Sequence, residues 1–132
     1  MKYVPMIALL IAGIIHLLPV PGVLGATNLG RLYGINVSDP NMAILLQHRA
    51  LLFGILGVLM LAAIPFPFLR ITALLVGLVS ATSFIVVALW VGDYGAEIKR
   101  VVIADLIAGV LLAAGLVSEI FCRGELPTVH IQ

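Results

Sequence analysis

Apolar residues in this chain fall into four long runs, at about 3–20, 42–64, 71–92 and 101–121, parted by breaks rich in proline, glycine and charge. A helix rises about 1.5 Å per residue, so roughly 20 apolar residues cross a hydrocarbon core about 30 Å thick. Each run approaches or meets that length. The breaks predict where the helices start and stop. Pro5 falls in the opening turn of the first run, where a missing N–H does no harm. Pro19 and Pro21 end that run, and Pro65 and Pro67 close the second. Asp39-Pro40 reads as an N-cap followed by a first-turn proline. Trp90 and Tyr94 close the third run, where aromatic rings favour the headgroup level. Gly124 and Pro127 stop the fourth, and 125–132 reads as a short polar tail.

The expectation is an all-α integral membrane protein, one domain built as a four-helix antiparallel transmembrane bundle with both termini on one side. Composition agrees. Of 132 residues, 63% are hydrophobic and 10% charged, against roughly 45–50% and 25% in soluble domains. A soluble fold of this size could not hide so much apolar surface. The net charge of +1 and the lack of a basic run give no sign of a nucleic-acid partner. Cys122 is the only cysteine, which excludes an intrachain disulfide. Lys2, the first run and Gly25-Ala26 bear a faint likeness to a secretory signal, but His16 and the proline break fit it poorly. The first run is therefore expected to stay as a span. Lys2, Arg70 and Arg123 on one side, against Arg31, Lys99 and Arg100 on the other, nearly balance. With the N-terminal amine added, the positive-inside rule places both termini in the cytoplasm.

The connection from 21 to 41 is the longest, and loops of that length in small proteins are often functional. Its pieces around 25–29 and 31–35 could form an amphipathic helix in the interface; the plainer reading is a cap over the bundle. Small residues predict the helix contacts, since close backbone approach holds membrane bundles together. The candidates are Ala50, Gly54 and Gly57; Ala73, Gly77, Ala81 and Ala88; and Ala104, Ala108 and Gly109. Gly54, Gly77 and Gly109 are expected at helix–helix contacts. Short loops make the second and third spans, and the third and fourth, neighbours.

Embedded polar residues are costly, and each is a candidate functional position. His16, Gln47, His48, Arg49, Trp90, Asp93 and Asp105 all thread to one end of the bundle, the end roofed by the long connection. A polar cluster under one surface has the shape of a small ligand site. Successive helical residues turn by about 100°, so Gln47, His48 and Arg49 cannot all face one cavity. Gln47 shares the Ala50-Gly54-Gly57 stripe, whereas Asp105 shares a stripe with Ala108, Gly109 and Leu112 and should face inward, with Arg100 turned away. Asp105 and Arg49 are expected within reach of each other, directly or through one water, because each alone in hydrocarbon would be expensive. The plain alternative is a structural ion pair that fixes register. For Trp90 and Tyr94 it is anchoring at the interface, and for Arg31, Lys99 and Arg100 it is headgroup contact. His130, in the tail, carries no expectation.

The four spans, Leu32-Tyr33-Gly34, the step Gln47-His48-Arg49-Ala50 followed by Phe53-Gly54, and the acidic Asp105 in the fourth span resemble the small DoxX-like bacterial membrane proteins. The resemblance covers most of the chain. It implies a bacterial inner-membrane location and an association with quinone or thiol redox partners or with assembly of other membrane proteins. A single cysteine does not supply the paired thiols of a dithiol role.

Three functions follow as expectations. The leading one is a structural or assembly subunit, packed against a larger membrane complex or a second copy. The second is a binder of a quinone or lipid-like amphiphile near His48, Arg49 and Asp105, with redox or isomerase chemistry open to it. The third is haem or metal binding through His16 and His48. No cofactor and no catalytic residue are singled out by the sequence.

Overall fold

The computed structural model describes residues 3–124, apart from the Arg123 side chain. Lys2 and the 125–132 tail with His130 lie outside the described residues. Five α-helices follow in order: α1 Val4–Leu17, α2 Ala26–Tyr33, α3 Pro40–Ala62, α4 Arg70–Val91 and α5 Ala96–Gly124. Among the described residues there is no strand. Four segments are long and apolar enough to cross a membrane: Val4–Leu24, Pro40–Ala62, Pro67–Val91 and Ala96–Cys122.

The boundaries follow local chemistry. Asp39 Oδ1 accepts the Asn41 N–H at 2.9 Å and Pro40 opens α3, so the expected cap is present. Arg70 reaches back to α3: its Nη2 donates to Ile64 O at 2.9 Å and its Nε to Ala63 O at 3.3 Å. Those bonds satisfy carbonyls that the helix end leaves orphaned. The first span is not one α-helix to residue 20. α1 stops at Leu17, because Pro19 and Pro21 cannot donate the next backbone bonds, and a 3-10 turn over Val20–Leu24 follows. α5 begins at Ala96, about a turn before the expected start, with Glu97 in its first turn, where the helix dipole favours an acid.

Packing is uneven along the bundle. A dry core joins Ala8, Leu9 and Ala12 of α1 to Met60 near the end of α3, Leu74 near the start of α4 and Leu112 of α5. α1 packs on α3 and α5, and α4 on α5; α3 and α4 meet far less extensively. Small residues set the close approaches. A Cβ on Gly57 would lie 2.9 Å from the Gly13 carbonyl, and one on Gly115 would lie 2.9 Å from Ala8 Cβ. Ala73, Gly77, Ala81 and Ala88 are all buried on α4, and Gly77 sits against Met60 and Leu112. Gly54 faces Val20 of the 3-10 turn. The expectation for Gly109 is corrected: nothing lies within 4 Å of a Cβ there, because the inward face of α5 runs through Asp105, Ala108 and Leu112 and leaves Gly109 to one side.

At the other end, the long connection folds into α2, a cap laid across the bundle. Leu29 and Tyr33, four residues apart on one face, are buried. Gly34 ends α2 in the left-handed conformation at φ 66°, returning its N–H to Gly30 O at 2.9 Å.

Candidate functional site

Under α2 lies a cavity of about 210 Å³. The C-terminal end of α1, the N-terminal parts of α3 and α5, and α2 all contribute to its wall. α1 supplies His16, and α2 supplies Arg31 and Tyr33. α3 supplies Arg49 and Phe53, and α5 supplies Glu97, Arg100 and Asp105. Ile15, Leu18 and Val101 make part of the remaining surface apolar. That volume is too large for one water and smaller than a drug-sized pocket.

Arg49 stands at the centre of an aromatic cage. Its guanidinium carbon is 4.8 Å from the Phe84 ring centre, 5.1 Å from Phe53 and 5.5 Å from Tyr33. Each distance lies within cation–π range, an attraction of about 0.5–1 kcal/mol at exposed sites and more where water is excluded. Three rings from three helices thus hold a charge that α3 would otherwise carry alone in an apolar setting. Burial pushes the Tyr33 hydroxyl upward from its ordinary pKa of 10.0; the Arg49 charge works against that and Asp105 works with it.

Asp105 is 3% exposed. Its Oδ2 has no hydrogen-bond partner among the described residues. Of the two forms expected for the Arg49–Asp105 contact, direct or through one water, the direct one is absent: no ion pair within 4.0 Å engages either side chain among the described residues. The two charges still face one cavity and feel each other electrostatically. Arg49 rests its charge on ring faces instead, and the buried Asp105 Oδ2 is left without a protein partner.

His16, 1% exposed, is held at both ring nitrogens. Nδ1–H donates to Ala12 O at 2.9 Å, since a carbonyl can only accept. In the neutral ring Nε2 is then the acceptor, and Ser80 Oγ lies 3.3 Å from it. This bond ties α1 to α4. The Phe53 ring stacks obliquely on the imidazole at 5.4 Å.

Of the seven residues singled out from sequence, His16, Arg49 and Asp105 line the cavity. Gln47 does not: its stripe turns to α1, where Ala50 and Gly57 are buried, while Arg49 projects toward the cavity. His48 is exposed on α3, so the two imidazoles do not share a site, and no group of three metal-ligating side chains occurs among the described residues. Trp90, 88% exposed, faces outward near the end of α4. Asp93 is exposed and forms the turn before α5 at φ 47°, a conformation that Asp tolerates better than most residues. Arg100, expected to turn away from Asp105, lines the same cavity.

Sequence reasoning missed Glu97, Ser80 and Phe84. Phe53 lies one turn beyond Arg49, a spacing that signals a shared face. Glu97 was hidden by placing the start of the fourth helix too late. It touches the end of α2: a Cβ on Gly34 would come within 2.6 Å of Glu97 Oε2. Compared with family models, with curated proteins and with solved structures, the chain matches none.

Proposed function

We propose that this chain is a multi-pass membrane protein that binds a small amphiphile whose polar head carries a hydrogen-bond donor. The observation that carries the reading is Asp105: its Oδ2 is buried and unpartnered, and the residue lines the cavity. A buried acceptor left unsatisfied costs about 1–3 kcal/mol. A donor on the bound molecule removes that cost, and a protein keeps such a group most readily where function uses it. The mixed wall suits an amphiphile: guanidinium and carboxyl groups surround a head, and apolar side chains border it.

The membrane setting has its own support. Large apolar residues are exposed on all four long helices, among them Ile14 on α1, Ile44 on α3, Val79 on α4 and Val110 on α5. Water would not tolerate that spread, and lipid requires it. Because the apolar surface runs around the whole bundle, it singles out no face for a partner protein. The spans then run up and down, with the cavity just beneath one headgroup layer and both termini on the opposite, cytoplasmic side.

The test is extraction into native-lipid discs, followed by mass spectrometry of the small molecules retained by the wild type and by Asp105→Leu. One amphiphile should be enriched with the wild type and fall about ten-fold in the variant. Equal retention by both would refute the proposal.

A further inference from the structure

The wall of the cavity under α2 is graded in exposure. His16, Tyr33 and Asp105 are buried, whereas Leu18, Arg31 and Arg100 are exposed. The exposed three come from the end of α1, from α2 and from the second turn of α5, so the cavity opens where those elements meet. Arg100 directly precedes the apolar run of α5, which sets this mouth at the border of headgroups and hydrocarbon. Between the mouth and Asp105 the wall is mainly apolar, with Ile15, Val101, Ala104 and the Phe53 ring.

Charge is placed at the two ends of this space. At the mouth, Arg31 and Arg100 bring two guanidinium groups together from separate elements. No ion pair within 4.0 Å engages either of them among the described residues. Glu97 supplies one carboxyl group against the two, and it lies beside Gly34 at the end of α2. Like charges gathered at one opening repel, and an oxyanion between them removes that cost. Guanidinium groups also grip carboxylates by paired hydrogen bonds. At the inner end, the buried Asp105 Oδ2 lacks a donor.

Size and spacing limit what can join the two ends. By the measure that a cavity of about 150 Å³ takes one benzene ring, the volume of about 210 Å³ takes a ring and about two further atoms. Arg100 and Asp105 are five residues apart on α5, a rise of about 7.5 Å. A six-membered ring with groups at opposite ends spans a similar length. The Phe53 and Tyr33 rings offer such a body apolar contact.

We infer that the occupant is a compact hydroxy acid: one ring in the apolar part of the cavity, a carboxylate at the mouth between Arg31 and Arg100, and an inner hydroxyl that donates to Asp105. The inference rests on the binding reading above and adds the class of ligand and its orientation. Arg31 and Arg100 select the acid, and Asp105 selects the hydroxyl.

The experiment uses the full chain in phosphatidylcholine nanodiscs and equilibrium dialysis of radiolabelled para-hydroxybenzoate, with empty discs as the blank. Two analogues separate the ends: benzoate lacks the hydroxyl, and phenol lacks the carboxylate. On the wild type each should bind about ten-fold more weakly than para-hydroxybenzoate. Asp105→Leu should weaken para-hydroxybenzoate about ten-fold and leave benzoate unchanged. The double variant Arg31→Gln, Arg100→Gln should weaken it about ten-fold and leave phenol unchanged. Because the analogues are compared on the wild type, the test stands even where a variant fails to fold. Benzoate as tight as para-hydroxybenzoate would overturn the inner hydroxyl contact, and phenol as tight would overturn the mouth as a carboxylate site. If native-disc extraction yields an Asp105-dependent lipid while para-hydroxybenzoate fails to bind, the compact acid is overturned and the binding reading stands. No Asp105-dependent occupant in either experiment would overturn both.

Discussion

Replacing glycines one at a time by alanine separates the packed faces of this bundle from its outward ones. Alanine in place of glycine gains about 1 kcal/mol within a helix, from lower backbone entropy in the unfolded chain. Against that stands the space for one methyl. At Gly57 the new Cβ would lie 2.9 Å from the Gly13 carbonyl oxygen and 2.9 Å from Leu17 Cγ. The carbonyl is backbone and cannot yield without moving α1, so the overpacking cost belongs in the upper part of the usual range of about 1–3 kcal/mol. The net expectation for Gly57→Ala is a loss of about 1–2 kcal/mol. At Gly109 no atom lies within 4 Å, so Gly109→Ala keeps the whole gain and should stabilise by about 0.5–1 kcal/mol. At Gly77 the nearest atom is the end of the flexible Met60 side chain, which can swing aside, and Gly77→Ala should fall between the two. Reversible unfolding in mixed micelles with increasing denaturing detergent gives the three values. A Gly109→Ala variant as damaged as Gly57→Ala, or a neutral Gly57→Ala, would refute the assignment of faces.

Other perturbations address the cap and the cavity wall. Ser80→Ala removes the α1–α4 hydrogen bond and should cost about 0.6 kcal/mol, at most about 1.7, in the same unfolding assay; a neutral result would show that His16 finds another partner. Gly34→Ala places a side chain at φ 66° and against Glu97, so α2 should detach first; hydrogen exchange would show faster exchange over 26–33, and unchanged protection would contradict the contact. Tyr33, with its pKa raised chiefly by burial, stays neutral in the folded state where the unfolded chain would ionise. Stability should therefore be intact below pH 10 and fall as pH rises beyond it. Tyr33→Phe should flatten that fall, and an identical alkaline profile for the variant would exclude Tyr33 as its source.

Much of the fold is legible in the sequence because four long apolar runs, with prolines and an Asp-Pro cap at their ends, mark the helices. The buried stripe on α4 follows from helical spacing alone. The site is harder to read because long side chains do not obey Cα directions. Arg100 reaches the cavity from a position that helical geometry turns away from Asp105, and Arg49 meets three rings where the sequence suggests a carboxylate. Which rings they are depends on α2 folding over the bundle, a tertiary event with no periodic signature. α3 and α4 are neighbours, as their short connection implies, but they meet less extensively than α4 and α5, because a short loop does not supply side chains to fill the space between two helices.

The central claim is that Asp105 faces a molecule and not a protein side chain. An experimental structure of the wild type in native-lipid discs tests it most directly. The account predicts non-protein density in the cavity under α2, with a donor about 2.7–3.0 Å from the Asp105 carboxyl group, and Arg49 within its ring of Tyr33, Phe53 and Phe84 or turned onto the bound head. A closed cavity, with Arg49 bonded directly to Asp105 and no molecule between them, would contradict it and leave a structural ion pair in its place.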